Sequence, residues 1–170
     1  MRTSYTALGA GAASMVMMLV VAAHAGELSL KAVPKPITQT VTARFKNAKM
    51  VGAGVEKTPE GKVVYEVSLE ERGRNIDVSL TPEGAIFLIE KEIAYRDLPK
   101  AVVDSLQRLY PKARYAIVEQ VYEVEGGKET LAHYEAIFRD AKKQAWAVEL
   151  TADGKVLEAE KRSSIEEAKD

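Results

Sequence analysis

Few side chains in this 170-residue sequence are equipped for chemistry at neutral pH. It has no cysteine, which excludes thiol catalysis, disulfides and thiolate metal sites. Of its two histidines, only His133 lies outside the apolar N-terminal stretch. Imidazole titrates closer to neutrality than any other side chain, so His133 is the natural candidate for a general base. It sits in Ala132-His133-Tyr134-Glu135-Ala136, an alternating segment that places it opposite Tyr134 and Phe138, on the polar side of a strand. No serine stands in a nucleophile-elbow pattern. Zinc around a single histidine would draw most ligands from carboxylates, an uncommon set. His133 therefore reads as an exposed surface residue, and no catalytic, cofactor or metal residue is assigned.

Carboxylates offer more. Glu66 and Ser68, Asp77 and Ser79, Glu135, Glu149 and Glu158 fall on one side of the predicted strands. Such oxygen groups can bind Ca²⁺, but no Asp-x-Asp-x-Asp-Gly loop accompanies them. Arg72, Arg74, Arg139, Lys142 and Lys143 are at hand as counter-charges, so a solvated mixed-charge face is expected. A glycosidase-like acid and base would need a pocket, and the sequence shows none. The same side carries apolar Val64, Ile86, Leu88, Ile137 and Val156. An exposed apolar patch rimmed by charge marks a partner site, and Leu88, His133, Glu135 and Ile137 are assigned to it. The alternative is that the tail or a second copy of the chain covers half of these apolar groups.

The elements that carry these residues occur twice. Val33-Pro34-Lys35 followed by Ile37, Val41 and Phe45 returns as Leu98-Pro99-Lys100 followed by Val102, Leu106 and Tyr110. Val63-Val64-Tyr65-Glu66-Val67 is answered by Ala132 to Ala136, and Ile76 to Gly84 by Trp146 to Gly154. The offset is 65 residues at the helix and 70 at the last turn. A period this long indicates two copies of one supersecondary unit.

In the first copy Pro34 and Pro36 start a helix, and Met50 to Val55 is a strand that Gly52 and Gly54 mark for a bulge or a close backbone approach. Strands around Val63–Leu69, Ile76–Leu80 and Ala85–Glu92 follow, divided by turns at Arg72-Gly73-Arg74 and Pro82-Glu83-Gly84. In the second copy Pro99 opens a helix and Pro111 closes it. Val102, Leu106, Leu109 and Tyr110 should face the core there, with Lys100, Asp104, Gln107 and Arg108 outward. Strands at Tyr115–Val124, Leu131–Arg139, Ala145–Thr151 and Val156–Lys161 complete it. The fold class is α+β: two tandem helix-plus-four-antiparallel-strand repeats form one broad sheet with the helices on one face. Short turns join only antiparallel neighbours.

Residues 1–25 read as a signal peptide, with Arg2, the apolar run Met15 to Ala22 and the small-x-small site Ala23-His24-Ala25. An uncleaved membrane anchor is the competing reading, opposed by Gly9, Gly11 and Ser14 in the apolar stretch. Gly26 to Lys31 is an exposed lead-in. The first repeat covers 26–93, the second 94–162, and a polar tail that frays covers 163–170. Cleavage would remove Arg2, leaving 23 of the 24 Lys and Arg against all 25 Asp and Glu. That balance provides no basic face for nucleic acid. A chain of about 145 residues buries roughly 68–70% of its unfolded surface, against about 60% for a 60-residue unit, so the repeats should share one core.

The passage Leu98-Pro99-Lys100-Ala101-Val102, through Leu106 to Tyr110-Pro111-Lys112-Ala113, resembles the PepSY-like family of exported bacterial proteins. These are also described as β-lactamase-inhibitor-like. The resemblance runs from about Val33 to Lys161; the first copy departs from it at Asn47, near where the second has Pro111. It implies tandem units in one sheet, an open face that docks on an enzyme in the inhibitors, and no catalytic residue. PepSY domains also occur in propeptides of secreted peptidases, which implies restraint of an enzyme. The expectation is a periplasmic or secreted non-enzymatic module. It would dock or restrain another envelope protein through the open face, with no cofactor and no membrane span after cleavage. A small-ligand or divalent-cation sensor is the alternative.

Overall fold

The computed structural model describes residues 26–58 and 61–165. The expected signal peptide, the turn tip at Pro59 and Glu60, and residues 166–170 lie outside the described residues. Nine strands form one antiparallel sheet in chain order. They are β1 (Gly26–Glu27), β2 (Lys49–Lys57), β3 (Val63–Glu71), β4 (Arg74–Leu80) and β5 (Ile86–Glu92), then β6 (Arg114–Glu125), β7 (Lys128–Arg139), β8 (Ala145–Leu150) and β9 (Val156–Arg162). Helix α1 (Lys35–Arg44) precedes β2, and α2 (Lys100–Leu109) precedes β6. The α+β class is as expected.

The helices begin and end alike. Pro34 and Pro99 occupy the N-caps with φ −57°, ψ 143° and φ −56°, ψ 143°. A proline there sacrifices no hydrogen bond, because the first turn of a helix has unpartnered N–H groups anyway. At the other ends, Phe45 N–H donates to the Val41 carbonyl and Tyr110 N–H to that of Leu106. The hairpins β3–β4 and β6–β7 turn on Arg72-Gly73 and Gly126-Gly127, all four with positive φ. That geometry matches the right-handed twist of the strands.

Ile37 and Val41 of α1 are buried with Val67, Leu69, Ile76, Val78, Leu80 and Ile89. Val102 and Leu106 of α2 are buried with Val118, Tyr134, Ala136, Phe138, Val148 and Leu150. Ile89 pairs with Tyr122, which shares a side of β6 with Val118 by strand alternation. Both helices therefore lie on one side of the sheet. Tyr122 and Val124 of β6 also pack on the α1 cluster, so that core is closed by residues from beyond α2.

Two glycines admit the helices. At Gly84 (φ 85°) a Cβ would lie 2.8 Å from the Pro36 carbonyl oxygen. At Gly154 (φ 83°) it would fall inside contact distance of the Ala101 carbonyl. There the Ser105 hydroxyl donates to the Gly154 carbonyl at 2.6 Å.

Three expectations change, those for Leu109, Ile86 and Val156. Leu109 has the angular position of a core residue, yet it is 46% exposed. It lies in the last turn, where Tyr110 packs against Phe138 and Trp146 and fills the space toward the sheet. Ser105, buried, takes the third core position of α2 instead. The lead-in is exposed as expected, and its Gly26 and Glu27 also pair with Val55 and Gly54. Ile86 and Val156 do not lie on the open face. Register shifts between Ser79 and Leu80, and between Glu149 and Leu150, place them opposite Leu80 and Leu150, against the helix-side cores. One extra residue in a strand reverses the alternation beyond it.

Candidate functional site

The sheet face opposite the helices is built from alternate residues of β2 to β9, and the register decides which meet. One row runs Glu92, Glu119, Glu135, Glu149, Glu158 across β5 to β9. A second runs Ser68, Asp77, Glu90, Val121, His133 across β3 to β7. A third runs Glu66, Ser79, Leu88, Glu123, Thr130. Beside the glutamate row, Ile117, Ile137 and Ala147 form a small buried cluster.

All four residues assigned from the sequence are on this face. His133, Glu135 and Ile137 stand together on β7, while Leu88, half-buried, lies two strands away on β5. Two of them differ from expectation. Ile137 is only 1% exposed, covered in part by Ile165. The tail expected to fray thus begins by packing on the apolar centre of the open face, because Ile165 is its one large apolar side chain. His133 is not a surface residue either: its side chain is 19% exposed, with Nε2 at 3.7 Å from a Glu149 carboxylate oxygen. Burial holds its imidazole below the ordinary value.

Carboxylates dominate the rest, and they are strained electrostatically. Burial pushes Glu90 well above the usual range, helped by Glu119, Glu135, Glu66 and Asp77. Burial and then the Glu149 carboxylate push Glu135 up to about 7 against the pull of Arg162, with Glu160 and Glu158 adding to the rise. Burial and Glu158 likewise raise Glu149. The counter-charges expected from Arg74 and Arg139 go elsewhere: Arg74 lies 3.8 Å from Asp97, and Arg139 donates to the Lys143 carbonyl. Arg162 takes their place. Its side chain is 10% exposed and 3.1 Å from Glu160, and its Nε is buried with no hydrogen-bond partner.

Glu90, Glu119 and Glu123 were not singled out from the sequence, although the alternation Leu88, Glu90, Glu92 and the alternation Glu119, Val121, Glu123 place them here. Among the described residues no group of three His, Cys, Asp or Glu side chains is arranged to hold a metal ion. No described helix is long and apolar enough to cross a membrane. On the helix side, a cleft of about 450 Å³ is lined by Tyr95, Gln107, Tyr110, Lys112 and Tyr115 among others. It holds neither carboxylate nor imidazole.

No family model matches the sequence, and no curated protein matches it. Solved structures do. A Bacteroides eggerthii protein described as periplasmic matches with a TM-score of 0.61 at 14% identity, over 76% of this chain and 88% of that one. A DUF2874 family protein from Bacteroides uniformis matches with a TM-score of 0.59 at 12% identity, over 75% and 88%. A BLIP-like protein from Bacteroides fragilis matches with a TM-score of 0.56 at 14% identity, over 77% and 87%. The chain has the fold of these proteins. At the level of fold this agrees with the resemblance to β-lactamase-inhibitor-like proteins. At such identities the likeness is one of fold alone.

Proposed function

We propose that the chain is a non-catalytic module of the bacterial periplasm that docks an envelope protein, such as a secreted enzyme, on its open sheet face. The observation that carries this reading is the face itself: both helices cover the opposite side, and this side presents row upon row of side chains. Its charge states what the partner must offer. The exposed carboxylates Glu123 and Glu158 call for a protein surface that offers Lys and Arg, since opposed potentials steer and orient association. Leu88, His133 and Glu135 lie within the footprint, and Ile137 supports it from below. The fold shared with a BLIP-like protein supports a binding role, and that shared with a protein described as periplasmic supports the location.

We also read the halves 26–93 and 94–162 as tandem copies. The matched proline caps, the aromatic C-caps and the glycines at 84 and 154 support that reading.

Photo-crosslinking residues placed at Leu88 and Glu123 test the docking role in living cells. Adducts to one protein are expected there and not at Lys100 on exposed α2. They should vanish when the exposed Glu123 and Glu158 are replaced by Lys. Adducts formed equally at Lys100, or indifferent to charge reversal, would refute it. Calcium-dependent stabilisation without adducts would replace docking by the cation-sensor reading.

A further inference from the structure

Glu92, Glu119, Glu135, Glu149 and Glu158 stand directly opposite one another on five adjacent strands. Side chains so placed have Cβ atoms about 4.5–5.5 Å apart, and like charges directly opposite destabilise a sheet. Asp77 and Glu90, themselves cross-strand partners, flank the row on β4 and β5. At its centre, Glu135 meets charged or titratable groups from every neighbouring strand. These are Glu119 on β6, Glu90 beyond it on β5, His133 on its own strand, Glu149 on β8, and Glu158, Glu160 and Arg162 on β9. Arg162 is the cation that acts on both Glu135 and Glu149, and it is already engaged with Glu160. Ile165 covers the neighbouring apolar cluster and brings no charge.

We propose that the directly opposed pair Glu135 and Glu149, at the centre of this row, is a proton-operated element: it holds protons in mildly acid surroundings and sheds them around neutrality, so that the middle of the row turns self-repelling. The row does not need a partner for this, so the proposal stands or falls apart from the docking role. The direction follows from linkage. A carboxyl whose value rises on folding, as Glu135 does to about 7, keeps its proton in the folded state after the unfolded chain has released it. Its contribution to stability is complete below the unfolded value and is lost as pH rises through the folded one. His133, held below its ordinary value, acts in the opposite sense as pH falls. It is one group against the two raised carboxyls Glu135 and Glu149, so the folded protein should be more resistant at pH 5 than at pH 8.

The test is thermal unfolding of the full chain between pH 5 and 9 in the presence of a chelator, so that divalent ions do not stand in for protons. The wild type should lose roughly 5 °C or more of melting temperature between pH 5.5 and 8. Glu135→Gln and Glu149→Gln should flatten that slope by raising the melting temperature chiefly above pH 7. Glu83→Gln, in the exposed β4–β5 turn, should leave it unchanged. Should a glutamine variant fold poorly, side-chain carboxyl NMR of the wild type decides, with at least one glutamate of the row expected to titrate near pH 7. A melting temperature independent of pH, or every glutamate titrating below pH 5, would overturn the proposal.

Discussion

Replacing Gly154 by alanine should be among the most damaging single changes in the protein, and the reason can be separated from ordinary backbone strain. Gly154 has φ 83°, and Gly73 in the β3–β4 hairpin has φ 75°. An alanine at either position incurs the left-handed penalty of about 1–2 kcal/mol. At Gly73 nothing lies within 4 Å of the added methyl, so the cost ends there. At Gly154 the methyl would run into the Ala101 carbonyl of α2, with the Ser105 hydroxyl at 3.0 Å. Either the turn or the helix must retreat, and the buried Ser105 hydrogen bond to the Gly154 carbonyl goes with it. Losing that bond alone costs about 1–3 kcal/mol if a partner is left unsatisfied. Strain, displacement and the lost bond together give about 3–5 kcal/mol for Gly154→Ala, against about 1–2 kcal/mol for Gly73→Ala. Urea unfolding with a shared m-value reads the difference as a gap in midpoints. Ser105→Ala, which removes only the hydroxyl, should fall between the two. Equal midpoints for Gly154→Ala and Gly73→Ala would refute the close approach of α2 to the β8–β9 turn.

Leu106→Ala should cost about 2–5 kcal/mol by opening a cavity beneath α2, whereas exposed Leu109→Ala should cost under about 0.5 kcal/mol; similar denaturation midpoints would contradict the assigned helix face. A fragment spanning 26–93 lacks β6, and with it Tyr122 and Val124, which complete the α1 core. It also lacks Glu129, which binds both Arg44 and Lys91 at 2.7 Å. It should be unstructured or aggregate, and a well-dispersed NMR spectrum from it would show that the first half folds alone.

Much of this architecture is legible because it rests on local rules. Proline at the helix starts, the left-handed pairs Arg72-Gly73 and Gly126-Gly127, and the alternation of Val67 with Ser68 or Tyr134 with Glu135 each speak through neighbouring residues. The bulge near Gly52 was legible for the same reason. The bulges that carry Ile86 and Val156 to the helix side were not, since no glycine marks them. The cover of Ile137 was legible only as the alternative that the tail lies over the apolar groups, and Ile165 supplies it from an otherwise polar segment. The glutamate row is the deepest miss. Alternation places each glutamate on the open face, but only the inter-strand register reveals that they stand one against the next. Register is a property of strand pairs, not of any one segment.

The absence of native cysteine allows the docking role to be measured without background. Single substitutions Leu88→Cys and Glu123→Cys on the open face, with Lys100→Cys on α2 as reference, can be labelled with a maleimide in intact cells and in the purified protein. If the open face docks a partner, labelling at Leu88 and Glu123 should be suppressed in cells and restored on purification, while Lys100 labels equally in both. Equal labelling at all three positions in both settings would contradict a docked face.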